Sequence, residues 1–110
     1  MGLRLTKPFL RFTKAEIDKV GGSLGVFQLG DDDGHIVYIG YAGGRSLFGL
    51  KGCLTDLLGK TSATCFRYEI NSAYLTRHQE LLMVYIADHD ELPAENDEKE
   101  RQNLGRLSPG

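Results

Sequence analysis

The cysteine and histidine residues of this sequence are the first candidates for metal or redox chemistry. Cys53 and Cys65 are the two cysteines of the 110-residue chain, and they do not form a Cys-x-x-Cys pair. Structural zinc sites need closely spaced ligands, and His35, His78 and His89 do not supply them. Disulfide frameworks use cysteine more densely than this chain does. The sequence therefore predicts reduced thiols in a cytoplasmic protein and no structural zinc site.

A run of three acidic residues, Asp31-Asp32-Asp33, is the next candidate, because closely spaced carboxylates can bind calcium. A calcium loop of the EF-hand type spaces its ligands more widely and closes with a glutamate, and this segment has neither feature. Gly34 follows the run, and Asp-Gly between two apolar segments is typical of a hairpin turn. The sequence therefore predicts a turn here and no calcium site.

The distribution of charge limits how tightly the chain can bind nucleic acid by itself. Residues 1–87 hold ten Lys/Arg against eight Asp/Glu, whereas residues 88–110 hold three against seven, and the net charge of the chain is −2. Dedicated nucleic-acid-binding proteins usually carry a strong basic excess, because much of their affinity comes from phosphate contacts. The composition therefore argues against tight binding. No apolar run of about 18 residues is present, so no membrane association is expected.

The pattern of apolar and polar residues predicts the elements that would position a site. Segments 24–30 and 35–42 are rich in β-branched and aromatic residues, and segment 64–70 alternates apolar and polar residues, as strands do. Leucines at helical spacing predict a helix over 47–58, and a longer amphipathic pattern predicts one over 73–89. The expected fold is an α+β domain in which a three-stranded antiparallel sheet is flanked by helices.

Local signals add detail at the N-terminus and in the last helix. Thr13 and Glu16 have the spacing of a capping box, which predicts a short helix ending at Gly21-Gly22. Residues 8–12 could form a short strand. In the last helix, Leu75, Leu82 and Ile86 are expected on the buried face.

These elements divide the chain into three parts. Residues 1–23 form an N-terminal extension with the short helix, and residues 24–97 form the folded domain. The composition turns acidic and polar after Pro93, and residues 98–110 are predicted to form a flexible tail.

The order of the elements and two short motifs resemble the GIY-YIG nuclease superfamily. That family is named after two tripeptides on adjacent antiparallel strands, which are followed by a helix, a third strand and a long helix. Gly25-Val26-Phe27 stands where the first tripeptide belongs, and Tyr38-Ile39-Gly40 matches the second. Glu80 and Asn96 match the helix glutamate and the downstream asparagine of the family. The resemblance covers about residues 24–96.

This resemblance implies hydrolysis of phosphodiester bonds with one divalent metal ion. Glu80 would bind Mg²⁺ or Mn²⁺, which would keep most of its waters and contact the phosphate. Tyr38 would position or deprotonate the attacking water, Tyr41 could offer a second phenol, and Asn96 would close the site by hydrogen bonds. A phenol has an ordinary pKa of about 10, so nearby cations must help it to act as a base.

The residues themselves leave structural alternatives open at three of these positions. Glu80 could be a solvated helix glutamate paired with Arg77, three residues earlier. Tyr41 could be an aromatic residue that packs at a strand end, and Asn96 could cap a turn.

The sequence also departs from the family pattern at two positions. Phe27 replaces the first tyrosine and can neither donate nor accept a proton, which leaves it at most a role in positioning the substrate. The family's helix arginine falls on Lys51 by register, and lysine cannot bind phosphate in the bidentate manner of arginine. Arg45 lies earlier, after Gly43-Gly44, and could reach the site from that loop.

Two functions from different classes follow from the resemblance. The first is a metal-dependent endonuclease that acts on DNA or, less readily, RNA. The second is a catalytically degenerate domain that serves as a nucleic-acid- or protein-binding module. Binding by this chain alone would be weak, and a protein partner or a homodimer could supply target choice.

Overall fold

The computed structural model describes residues 5–44 and 47–96. Within these ranges the chain forms four strands and three helices, in the order β1 (Leu10–Arg11), α1 (Lys14–Ile17), β2 (Gly25–Gly30), β3 (Ile36–Ala42), α2 (Gly49–Leu57), β4 (Cys65–Ile70) and α3 (Tyr74–His89). The α+β class is confirmed. Arg45 and the predicted flexible tail, 98–110, lie outside the described residues.

The strands form one open antiparallel sheet in the order β1-β4-β2-β3. The predicted number of three strands is wrong, because β1 pairs with β4 and places Leu10 opposite Phe66 and Arg11 opposite Cys65. The main-chain amide of Phe12 extends this pairing by donating to the carbonyl of Thr64 at 3.0 Å. The N-terminal extension thereby covers the edge of β4 and is part of the sheet.

The two faces of the sheet carry separate hydrophobic cores, because successive strand residues point to opposite sides. Every residue of β2 is buried. One core lies against α1 and α2, and its buried members are Phe12, Ile17, Val20, Phe27, Leu29, Ala42, Leu50, Leu54 and Phe66. The other lies against α3 and includes Leu5, Val26, Ile39, Leu81, Leu82 and Leu92. Any site on β3 therefore belongs to one face or the other.

The N-terminal helix begins as predicted but ends earlier. Thr13 is the N-cap, and its Oγ1 accepts a hydrogen bond from the amide of Glu16 at 3.4 Å. The helix ends at Ile17, and the next amides donate to carbonyls three residues back, Lys19 to Glu16 at 3.1 Å and Val20 to Ile17 at 2.9 Å. The chain then reaches Gly21, where a φ of 81° lies in the left-handed region that glycine favours.

The buried face of α3 contains Leu82 and the half-buried Ile86 as predicted, but it does not contain Leu75. Leu75 is 52% exposed, whereas Arg77 and His78 are buried together with Leu81 and Leu82. The two polar side chains can be buried because each has hydrogen-bond partners, which removes the cost of burying them alone. In the part of the chain that the structure describes, neither α3 nor another helix is long and apolar enough to cross a membrane.

Glycines in the two tripeptides allow close contacts that a larger residue would prevent. A Cβ atom at Gly25 would lie 2.1 Å from the main-chain oxygen of Glu69 in the neighbouring strand. A Cβ atom at Gly40 would lie 2.5 Å from the ring of Phe27 and 2.6 Å from the ring of Tyr38. The motif glycines therefore have a packing role in this sheet.

Candidate functional site

Phe27 and Tyr38 lie on the face of the sheet that packs against α2. Phe27 is opposite Gly40 and Tyr38 is opposite Leu29 in the β2–β3 ladder, so both rings project to the same side. Their ring centroids are 5.9 Å apart. Phe27 is only 2% exposed, and Tyr38 is half-buried against the same core. Phe27 is therefore a core residue in this conformation, with no surface to offer a substrate.

Tyr41 lies on the other face of β3, opposite Val26. Its ring stacks on Tyr74, with centroids 5.8 Å apart and ring planes at 15°, and also contacts His78 at 4.8 Å. The Tyr74 hydroxyl accepts a hydrogen bond from the amide of Gly44 at 3.1 Å. Tyr41 is 42% exposed, so its accessible ring is supported by the rings of Tyr74 and His78. The two candidate phenols, Tyr38 and Tyr41, consequently project from opposite faces of the sheet.

Glu80 belongs to an ion-pair network on α3. Arg77 donates to Glu80 Oε1 from Nη1 at 3.3 Å. The same guanidinium binds Glu69 with two hydrogen bonds, from Nε at 2.9 Å and from Nη2 at 3.2 Å. Asn71 Nδ2 also donates to Glu69 at 3.1 Å. The Arg77–Glu80 pairing that the sequence left open is thus present in the structure.

The network stabilises the charged forms of its members. Burial disfavours ionisation of Glu69, but hydrogen bonds from Arg77 and Asn71 outweigh this, and the pKa of Glu69 lies below its usual value. Burial would likewise lower the pKa of Arg77, but pairing with Glu69 and then Glu80 raises it. Arg77 therefore keeps a full positive charge next to the Glu80 carboxylate.

The residues around Glu80 fit a divalent metal ion poorly. Arg77 already binds the Glu80 carboxylate, and its positive charge opposes a second cation there. Among residues 5–44 and 47–96, Asp31, Asp33 and His35 form the group of three side chains that could approach one ion, and Glu80 does not belong to it. Asp31 Oδ1 already accepts from the amides of Asp33 at 3.0 Å and His35 at 2.9 Å, as the predicted hairpin turn requires.

Lys51 lies on α2, and its side chain points toward α1. Its Nζ is 3.8 Å from Asp18 Oδ1, and the side chain is 41% exposed. Exposed pairs of this kind contribute little to stability, so Lys51 can move to another anion at small cost. Arg45, the other candidate cation, lies outside the described residues.

Asn96 completes the hydrogen bonding at the outer edge of β3. Its Oδ1 accepts from the amide of Ile39 at 2.9 Å, and its Nδ2 donates to the carbonyl of Ile39 at 2.9 Å. His78 Nε2 lies 3.2 Å from the same carbonyl, and the amide of Glu95 donates to Val37 at 2.9 Å. The side-chain amide thereby takes the place of a neighbouring strand, which is a structural role.

We expect Asn96→Ala to destabilise the domain by about 1–2 kcal/mol, because two part-buried backbone groups lose a partner. Chemical denaturation would measure this, and hydrogen exchange should show faster exchange of the Ile39 amide. Asn96→Asp should be at least as harmful, since it places a carboxylate oxygen against the Ile39 carbonyl. Glu91→Ala, at an exposed position, serves as the control and should change stability by less than about 0.5 kcal/mol. Unchanged Ile39 exchange in Asn96→Ala would contradict the role.

Three residues that the sequence analysis did not connect with a site complete these surroundings: Glu69, Tyr74 and His78. Tyr74 and His78 are four residues apart on α3, a spacing that places them on one side of the helix. That spacing was the available signal for the ring stack. Glu69 gave no comparable signal, because its pairing with Arg77 depends on how α3 packs on the sheet.

The fold and these side chains define the chain as a small α+β domain with a ring stack around the exposed Tyr41 at one sheet end and a carboxylate network around the buried Arg77. The chain belongs to the DUF7508 family, described as a domain of unknown function, whose family model matches residues 3–88. That match includes Glu80 and ends before Asn96. No curated protein and no solved structure is significantly similar to the chain.

Proposed function

We propose that this chain is a nucleic-acid-binding domain of GIY-YIG-like architecture that does not cut its ligand. The observation that carries the proposal is the ring stack of Tyr41 on Tyr74 and His78, in which Tyr41 remains 42% exposed. An accessible, well-supported aromatic ring is the platform on which unpaired bases stack, whatever their sequence.

Other exposed apolar side chains lie at the same end of the sheet, where β2 begins and β3 and β4 end. Phe48, 71% exposed, and Leu47 precede α2, Ile70 ends β4, and Leu75 follows Tyr74. Large exposed apolar residues that share one end of a small domain favour an interaction surface there. The resemblance to GIY-YIG nucleases also favours this end of the sheet, because Tyr41 directly follows Tyr38-Ile39-Gly40.

Binding without cutting is favoured by the positions of the implied catalytic groups. Phe27 lacks a hydroxyl and belongs to the core, and Glu80 is paired with Arg77. Tyr38 projects toward α2, whereas α3, which carries Glu80, packs on the other face. General acid–base chemistry needs its groups within hydrogen-bonding reach of the same substrate atoms. These side chains do not offer that arrangement.

The expected ligand is single-stranded DNA or, less readily, RNA. Stacking requires unpaired bases, and duplexes do not present them. The net charge of −2 gives little phosphate affinity, so binding should be weak and should weaken further with salt.

We expect the wild-type chain to bind fluorescently labelled oligothymidylate with a dissociation constant of about 10–100 µM at physiological salt, measured by anisotropy. Tyr41→Ala should weaken binding about tenfold, because one stacked base is lost. Met83→Ala removes an exposed apolar side chain from another part of α3 and should bind like wild type. Equal binding by Tyr41→Ala and wild type, or no binding by either, would refute the proposal. If Tyr41→Ala instead dissolves a dimer in sedimentation, the ring stack is a protein interface.

A metal-dependent nuclease is the second candidate, favoured by the retained hydroxyl of Tyr38 and by the accessibility of Glu80, whose side chain is 42% exposed. The binding proposal expects no cleavage of single-stranded, duplex or branched DNA in Mg²⁺ or Mn²⁺, and no rescue by Phe27→Tyr with Lys51→Arg. Cleavage by wild type that is abolished by both Glu80→Gln and Tyr38→Phe would replace it with the nuclease. Broadening of NMR signals near Glu80 by Mn²⁺, lost in Glu80→Gln, would show metal binding directly.

A further inference from the structure

A pocket of about 460 Å³ lies between the N-terminal segment, the sheet and the C-terminal half of α3. Its volume falls in the range of about 300–1,000 Å³ that small-molecule sites occupy. Apolar side chains make up much of its lining, namely Leu5, Ile36, Leu81 and Val84. Gln28, Arg67 and Tyr85 supply polar groups. The ring stack lies near the other end of α3, so the pocket is separate from the proposed nucleic-acid surface.

Arg67 is held rigidly in the pocket wall. Its Nε donates to Gln28 Oε1 at 2.7 Å, and its Nη1 donates to the carbonyl of Lys7 at 3.2 Å. The guanidinium also lies 4.4 Å from the centroid of the Phe9 ring, a cation–π contact. Gln28 is itself buried, so its hydrogen bond with Arg67 fixes the orientation of the guanidinium from the side of the core.

Among the described residues, the groups that contact the Arg67 guanidinium are neutral. Arg77, on the same face of the sheet, differs in this respect. Arg77 binds two carboxylates, those of Glu69 and Glu80. No carboxylate lies within ion-pairing distance of Arg67 among residues 5–44 and 47–96. Burial lowers the pKa of Arg67, which agrees with a partly desolvated charge that has no carboxylate partner among the described residues. An anion in the pocket would supply the missing charge.

We propose that this pocket binds a small organic anion, a carboxylate or phosphate ester on an apolar body, and that Arg67 binds the anionic group. A guanidinium suits this role because it forms short, charge-assisted hydrogen bonds with both anions. The apolar body lies against Leu81 and Val84. Tyr85, Asp88 and His89 are the other titratable groups in the lining.

The test uses the full chain, isotope-labelled for amide NMR, and three probes of one shape: naphthoate, naphthyl phosphate and the neutral naphthamide. We expect naphthoate or naphthyl phosphate to shift the amides of Gln28, Leu81 and Tyr85 with a dissociation constant of about 1 mM. The tighter of the two probes identifies the anion class. Arg67→Gln should weaken that probe about tenfold and leave naphthamide unchanged. Lys60→Gln, which removes an exposed positive charge elsewhere, should bind like wild type.

Val84→Trp provides a second variant that keeps Arg67 and fills the pocket with an indole ring. It should abolish binding of both anions, and it decides the question alone if Arg67→Gln fails to fold. The proposal is overturned if neither anion shifts these amides, if the shifts lie at other surfaces, or if the folded variants bind the anions as tightly as wild type.

Discussion

Gly25→Ala should destabilise the domain by about 3 kcal/mol or more, the upper end of the usual range for overpacked positions. The added methyl group would lie 2.1 Å from the Glu69 oxygen and 3.0 Å from the Ile70 Cα, and both are backbone atoms of the paired strand. Backbone atoms cannot rotate away as a side chain can, so β2 and β4 would have to separate. Because β2 is an interior strand and is buried on both faces, a separation there disturbs both cores.

Urea denaturation followed by circular dichroism would measure this loss. Gly44→Ala is the matched control, because the nearest atom to its added methyl would be the Tyr74 hydroxyl at 3.7 Å, an ordinary contact. It should change the free energy of unfolding by less than about 1 kcal/mol. A Gly25→Ala protein as stable as Gly44→Ala would show that the sheet accommodates the methyl group. The close approach of β4 would then not require glycine at position 25.

Arg77→Met should be the second most harmful change, with an expected loss of about 3 kcal/mol at neutral pH. The Arg77 side chain is 9% exposed, and its removal leaves the Glu69 carboxylate partly buried without its main partner. Arg11→Met makes the same chemical change at an exposed position and should cost less than about 0.5 kcal/mol. Adding Glu69→Leu to Arg77→Met should recover part of the stability, because no buried charge then remains. Equal stability of Arg77→Met and Arg11→Met would contradict the role of the network.

The loss in Arg77→Met should depend on pH in a defined direction. In the wild type, the pKa of Glu69 lies below its ordinary 4.5, so its contribution is complete above that pH and is lost as pH falls through the lowered pKa. In Arg77→Met, burial acts without the opposing arginine and raises the pKa of Glu69, so protonation in acid relieves the variant. The stability difference between the two proteins should therefore begin to shrink at the raised pKa of the variant, above 4.5, and should continue to shrink as pH falls through the lowered pKa of the wild type. A constant difference down to acid pH would exclude this explanation.

Elements with a strong local pattern were predictable from the sequence. The strands predicted at 24–30 and 35–42 correspond to Gly25–Gly30 and Ile36–Ala42. The Asp-Gly turn between them marks where the first strand ends and where the second begins. β1 has only two residues and thus no period, and its pairing depends on β4, more than fifty residues later. The sequence indicated a possible short strand at 8–12, but its pairing with β4 as a fourth strand is visible only in the folded sheet.

The candidate site was predictable to a lesser degree, because residue type does not reveal a distant partner. Leu75 looked like a core residue, yet it is exposed, and Arg77 and His78 lie on the buried side of α3 together with Leu81 and Leu82. Asn96 could be chosen by its position, but its contacts with Ile39, 57 residues away, depend on the return of the chain along β3. The implied functions of Tyr38, Tyr41, Lys51 and Glu80 stay predictions until activity and binding are measured.

The glycines of the two tripeptides have a consequence for how such domains change during evolution. Replacing a tyrosine by phenylalanine at position 27 removes one hydroxyl and keeps the ring that fills the core, whereas a methyl at Gly25 or Gly40 meets atoms closer than 3 Å. The two glycines are therefore required by the packing of the sheet whatever the chain binds, whereas a hydroxyl on the ring at position 27 is not.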